Sequence, residues 1–198
     1  MNKKTIIVSA FAPFGGETIN PTELILKKLP DYVGEVEIKK IYLPVEFIIA
    51  PKILIDEYDK SNAKAVIMLG QAGGRDKITI EAIAKNLMNA KISDNSGYKP
   101  TNLEIVKEGR DALNATLPIE ELISEVEKIN IKVSKSEDAG SYVCNCLMYG
   151  MLNHNKGEVP TGFIHVPFIK EQGKTPYMDL IDEYNGIVTI VSYIASII

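Results

Sequence analysis

Two stretches, Thr5–Phe11 and residues 63–69, are apolar or β-branched almost throughout instead of alternating apolar with polar residues. Each runs straight into a turn-prone segment, Ala12-Pro13-Phe14-Gly15-Gly16 and Gly70-Gln71-Ala72-Gly73-Gly74. A strand with so few polar side chains must be covered on both faces, the condition of a parallel sheet carrying helices on each side. The rest of the chain supplies those helices.

Asn20-Pro21-Thr22-Glu23 has the form of a helix start, an Asn cap followed by proline at the first helical position. That helix runs to Lys28 and stops before Pro30. Val36–Leu43 reads as a second strand. Residues 44–58 carry helical periodicity, with Pro51 expected to kink or split them. Residues 78–84 read as a further strand containing Glu81. Residues 94–108 are polar and broken by Gly97 and Pro100, which predicts a long surface loop or an irregular hairpin. An amphipathic helix is expected over 118–129 and a short strand over 131–134. A helix then starts near Tyr142 or Val143 and ends near Asn153, a strand covers 162–167 with His165 close to its end, and helix closes the chain over 175–198, broken at Gly186. Strands alternating with helices predict an α/β three-layer sandwich around a twisted, mostly parallel (mixed) sheet. With no repeat or linker, residues 1–198 read as one domain.

Composition narrows the function classes. The net charge of −4 comes without any long run of Lys or Arg, which argues against nucleic acid as a partner. Cys144 and Cys146, the only two cysteines, are separated by one residue, and a bridge between them would be badly strained. A metal site would need further ligands, and neither His154 nor His165 stands at a zinc-finger spacing, so no metal is expected. The start, Met1-Asn2-Lys3-Lys4, is basic, but the apolar run after it is too short for a signal peptide. The apolar run 187–198 is too short to cross a bilayer and reads as buried helix. A cytosolic protein with no membrane partner is the expectation.

In open α/β sheets, ligands collect at the carboxyl ends of the strands. Both glycine-rich turns and His165 belong there, and Cys144 opens a helix facing the same edge. The unpaired N–H groups and positive dipole of a helix start favour a thiolate, so Cys144 is a candidate nucleophile. Its alternative is the one open to any free cysteine, a small core residue. His165 is a candidate base or a core histidine, and Glu17, Glu46, Asp76 and Glu81 are all open as the carboxylate that would orient it. The turn at 70–74 lacks both the P-loop ending and the dinucleotide spacing. Phe11 and Phe14, beside Pro13 and two glycines, are either core residues or the wall of a pocket for a small flat ligand.

These segments together form a resemblance. Phe11-Ala12-Pro13-Phe14-Gly15-Gly16 with Asn20-Pro21 resembles the N-terminal motif of the pyroglutamyl peptidase I family, the cytosolic pyrrolidone carboxyl peptidases. Gly70-Gln71-Ala72-Gly73-Gly74-Arg75 with Ile78-Thr79 and Glu81 is similar to the motif carrying that family's catalytic glutamate. Ala139-Gly140 with Val143-Cys144-Asn145 is similar to the segment around its nucleophile, and Gly162-Phe163-Ile164-His165-Val166-Pro167 resembles the one carrying its histidine. The motifs stand in the family's order.

The resemblance implies a cysteine peptidase that removes an N-terminal pyroglutamyl residue from peptides, without a cofactor. It gives Cys144 as nucleophile, His165 as base and Glu81 as its orienter, and the Cys144 N–H at the helix start is a natural oxyanion donor. The pyroglutamyl ring is small, flat and uncharged, and Phe11, Phe14 and Tyr142 are expected around it, with Gln71 and Asn20 as candidates for the lactam's polar groups. A pocket pairing those groups would reject proline, which lacks the ring carbonyl. The resemblance also implies a homotetramer, with the long loop or the C-terminal helix offering apolar contact surface.

Departures from the family pattern are Tyr142 for phenylalanine, Ala12 for glycine, Cys146 for histidine, and Lys91 at the position of an arginine tied to the oxyanion site. Lysine keeps the charge but loses the two-pronged geometry. Two alternatives follow: a relative that binds pyroglutamyl or similar small amides without cleaving them, and a redox sensor using Cys144 and Cys146.

Overall fold

A computed structural model describes residues 4–198. The basic start at Met1–Lys3, weighed above as a leader, lies outside the described residues. The elements in chain order are β1 (Thr5–Phe11), α1 (Pro21–Lys28), β2 (Tyr32–Val33), β3 (Val36–Leu43), α2 (Ile49–Asp59), β4 (Ala63–Gln71), β5 (Ile78–Glu81), β6 (Ile83–Lys85), β7 (Ala112–Asn114), α3 (Ile119–Lys128), β8 (Val133–Ser136), α4 (Val143–Asn155), β9 (Thr161–Val166) and α5 (Leu180–Ile197), with a single 3-10 turn at Lys170–Gln172.

Seven strands form one sheet in the order β2-β3-β1-β4-β9-β5-β8. β3, β1, β4 and β9 run parallel, while β2 is antiparallel to β3 and β5 is antiparallel to β9. The sheet is therefore mixed and mostly parallel, as expected. Successive side chains on a strand point to opposite faces, and the two cores divide accordingly. Ile6, Val8, Ile67, Leu69, Ile80 and Ile164 pack with α1, α3 and α5. Ile7, Phe11, Val66, Met68 and Phe163 pack with α2 and α4. Every residue of β1 is buried, because both of its faces are covered.

Four expectations are corrected. Pro51 occupies the third position of α2, where its missing N–H has no helical acceptor to lose, so it neither kinks nor splits the helix. α2 instead begins at Ile49, after a turn. The strand expected over 78–84 ends at Glu81, and Ile83–Lys85 leaves the main sheet to pair with β7. The strand expected over 131–134 lies two residues later, at Val133–Ser136. Gly186 does not interrupt α5: a Cβ there would lie 2.4 Å from Ile78 Cδ1, so the glycine lets the helix approach β5 closely. Between β6 and β7 the chain forms a long irregular segment, with one isolated pairing of Met88 with Leu103. Among the described residues no helix is long and apolar enough to cross a membrane.

Candidate active site

The alternation of β9 and β5 decides which side chains meet. Thr79 stands opposite His165, and Glu81 opposite Phe163, so Glu81 and His165 are diagonal neighbours on the α4 side of the sheet. Their side chains join: His165 Nδ1 lies 2.7 Å from Glu81 Oε1, with both residues almost fully buried. Arg75, in the turn before β5, donates from Nη1 to the same Oε1 at 2.5 Å and to the Thr79 hydroxyl, and from Nη2 to the Asp138 carbonyl at 3.2 Å.

Burial alone would raise the Glu81 carboxyl. The His165 ring, then more weakly Ser136, which stands opposite Glu81 on β8, and Arg75, outweigh it and hold Glu81 at about 2. Among the described residues Glu81 Oε2 has no hydrogen-bond partner. Burial moves His165 below its usual value against the pull of Glu81. The imidazole therefore rests neutral, its Nδ1 proton on Glu81, which leaves Nε2 as the free acceptor. The permanent cation facing Glu81 is then Arg75.

Cys144 is the second residue of α4, after an extended Tyr142 that makes no side-chain cap. The helix start is anchored by the buried Asn145, whose side chain bonds Lys85 N and O and Leu87 O at 2.8 to 2.9 Å. The Cys144 sulphur abuts β4: a Cβ on Gly70 would lie 3.0 Å from Sγ and 2.6 Å from the Phe163 ring. Only glycine fits there. Against the acidic thiol expected at a helix start, burial, with the Glu81 charge second, pushes the Cys144 thiol up to about 12. The resting pair is thiol and neutral imidazole rather than thiolate and imidazolium. Cys146 faces the core, with Sγ 3.5 Å from the Phe47 carbonyl, and burial pushes its thiol up to about 12 as well. That position does not suit a redox partner for Cys144.

Cys144 and His165 line one cavity of about 330 Å³ together with Phe14, Gln71, Arg75 and Tyr142. Its size suits a small ligand. The Gln71 Oε1 accepts from Gln172 Nε2 at 2.9 Å, and Gln172 in turn reaches the Ile19 carbonyl at 3.3 Å. The Tyr142 hydroxyl, the extra atom relative to phenylalanine, donates to the Ser93 carbonyl at 2.9 Å.

Three expected pocket residues are not among the lining. Phe11 is 3% exposed and stacks in the core 6.4 Å from Phe163, because its strand position points it toward α2 and α4. Asn20 is spent on structure: Oδ1 accepts from the Thr22 N–H and hydroxyl to cap α1, and Nδ2 donates to the Ala12 carbonyl at 3.1 Å. It holds the loop that presents Phe14. Lys91 is exposed on the long irregular segment. Arg75 is the site residue that pattern reading passed over; its only signal was its place ahead of Ile78 and Thr79 in the glutamate motif. Among the described residues no three His, Cys, Asp or Glu side chains are grouped to hold a metal ion.

The model of the family described as pyroglutamyl peptidase matches residues 4–190. The chain is 42% identical over 196 residues to pyrrolidone-carboxylate peptidase 1 of Caldanaerobacter subterraneus subsp. tengcongensis, covering 96% of this chain and 97% of that one. It is 44% identical over 197 residues to the pyrrolidone-carboxylate peptidase of a Thermoanaerobacter species, with 96% and 97% covered. The crystal structure of pyroglutamyl peptidase I from Bacillus amyloliquefaciens superposes with a TM-score of 0.92 at 34% identity, over 100% of this chain and 97% of that one. A mutant pyrrolidone carboxyl peptidase from Pyrococcus furiosus gives 0.91 at 35% identity, with 98% of each chain covered.

Proposed function

The chain belongs to the pyroglutamyl peptidase family, and from that premise we propose that it is a cysteine peptidase releasing N-terminal pyroglutamate from peptides, with Cys144, His165 and Glu81 as its working residues. One observation carries the assignment of roles: a buried His165–Glu81 pair opens onto the same cavity as Cys144. Glu81 fixes the tautomer, so His165 Nε2 takes the thiol proton as Sγ attacks the carbonyl that joins pyroglutamate to the next residue. The imidazolium, stabilised by Glu81, then returns that proton to the leaving amine. Water, losing a proton to His165, hydrolyses the thioester and frees Cys144. Because the thiol rests protonated, proton transfer accompanies attack instead of preceding it. N–H groups at the start of α4, that of Cys144 among them, face the developing oxyanion.

Phe14 and Tyr142 form the walls for the flat lactam, and Gln71, with its oxygen already bonded to Gln172, offers its NH₂ to the lactam carbonyl. A binder without cleavage is the weaker reading, since the relatives matched over nearly the whole chain are named as peptidases. The cytoplasm suits two free thiols. A homotetramer belongs to the same proposal, and exposed Ile92 and Leu103 on the long segment and Ile181 on α5 provide apolar surface for it. The test is selectivity. Pyroglutamyl amides should be cleaved at least about a hundredfold faster than prolyl amides, because proline leaves the buried lactam partners unpaired. Equal rates on both would sink the pocket assignment.

A further inference from the structure

Two groups converge on one oxygen. Glu81 Oε1 accepts from both His165 Nδ1 and Arg75 Nη1, and the other prong of Arg75 reaches across to the Asp138 carbonyl, 63 residues along. Asp138 opens the short segment that leads through Gly140 to α4. Its own carboxylate accepts from the Gly140 N–H at 3.1 Å and from Lys85 Nζ at 3.0 Å. We propose that Arg75 is a positioning residue of the active site, holding Glu81 against His165 and tying that carboxylate to the segment that delivers Cys144. The proposal rests on the roles given above to Cys144, His165 and Glu81.

The geometry explains why an arginine is needed. Glu81 is fully buried, with Oε2 unbonded among the described residues and a neutral imidazole on Oε1. A buried carboxylate so placed needs a fixed cation, or it takes up a proton and loses its grip on His165. Lysine could supply the charge but not the fork that spans Thr79, Glu81 and Asp138. The charged and titratable groups facing Arg75 are Glu81, His165 and Cys144, with Asp138 engaged by Lys85. Asp76, next in sequence, is paired instead with Lys132 and Lys77. Arg75 is thus the cation that offsets Glu81 within the site. Without it the site becomes more negative, and the Cys144–His165 pair gives up its protons at higher pH.

The test compares wild type, Arg75→Gln and Arg75→Lys by the rate at which iodoacetamide alkylates Cys144, read by peptide mass spectrometry from about pH 5 to about pH 9. No substrate is involved. Because the thiol itself is raised to about 12, the acid limb in this range is the loss of the His165 proton, which frees the ring to take that of Cys144. Arg75→Gln should move this limb upward by about one unit, and Arg75→Lys should restore most of it. On a pyroglutamyl amide at neutral pH, both variants should lower kcat by about tenfold or more while KM changes less than about threefold. An unmoved limb in Arg75→Gln with kcat intact would overturn the proposal. If Arg75→Gln does not fold, Arg75→Lys decides: a wild-type limb with depressed kcat supports the fork, and wild-type kcat refutes it. If wild type alkylates normally but cleaves no pyroglutamyl amide, the peptidase assignment fails, and the displacement of the limb still decides the role of Arg75.

Discussion

Glu183 offers a quantitative test of the packing on the α5 side of the sheet. It is fully buried near the start of α5, and among the described residues neither carboxylate oxygen has a hydrogen-bond partner. Burial, with the Glu171 charge second, pushes its carboxyl up to about 9 from 4.5. A group raised in this way favours the fold fully below its unfolded value and ceases to do so as pH climbs toward its folded value. Between those limits the native state holds a proton that the unfolded chain has released, so stability falls by about 1.4 kcal/mol per pH unit. From about pH 5 to about pH 8 the loss is about 4 kcal/mol, a large share of the ordinary stability of a domain. Glu183→Gln keeps the shape, removes the titration and exchanges one unpaired neutral group for another. The variant should be about as stable as wild type near pH 5 and the more stable protein near pH 8. The chain has no tryptophan, so urea unfolding followed by far-UV circular dichroism is the assay. Parallel stability–pH curves for the two proteins would refute the reasoning.

Two further substitutions probe the site itself. Gly70→Ala puts a methyl group 2.6 Å from the Phe163 ring and 3.0 Å from Cys144 Sγ. It should destabilise by about 1 to 3 kcal/mol in urea unfolding and cut kcat by about tenfold or more. Phe14→Ala removes a cavity wall without touching Cys144 or His165. It should raise KM for a pyroglutamyl amide by about tenfold while kcat stays within about threefold, the signature of lost binding that ground and transition states share.

The sheet was legible where local chemistry and tertiary demand agree. The bounds of β1 follow from burial on both faces, those of β3 from partial alternation, and α1 from an Asn cap with a following proline, all of which the structure reproduces. The nucleophile helix was legible from its small-residue approach. What escaped depends on distant partners. β7 is three residues long and exists only because β6 leaves the main sheet to meet it. Gly186 looked like a helix breaker because its reason, the approach to Ile78, lies on another strand. Phe11 and Asn20 sit in a motif that reads as a ligand pocket, yet one fills the core and the other caps a helix, so the motif encodes support for Phe14 as much as contact with a ligand. The acidic thiol inferred from the helix dipole ignored burial, which opposes it and outweighs it. Arg75 was invisible as a site residue because its two anchors, Glu81 and the Asp138 carbonyl, meet only after β5 and β8 pair.

The most direct test of the central claim is release of a fluorescent amine from a pyroglutamyl amide by wild type and by Cys144→Ala, with folding of both checked by circular dichroism. Wild type should release the amine and should lose that activity on alkylation, and Cys144→Ala should fall by at least about a thousandfold. Comparable release by Cys144→Ala would contradict the assignment of Cys144 as the nucleophile.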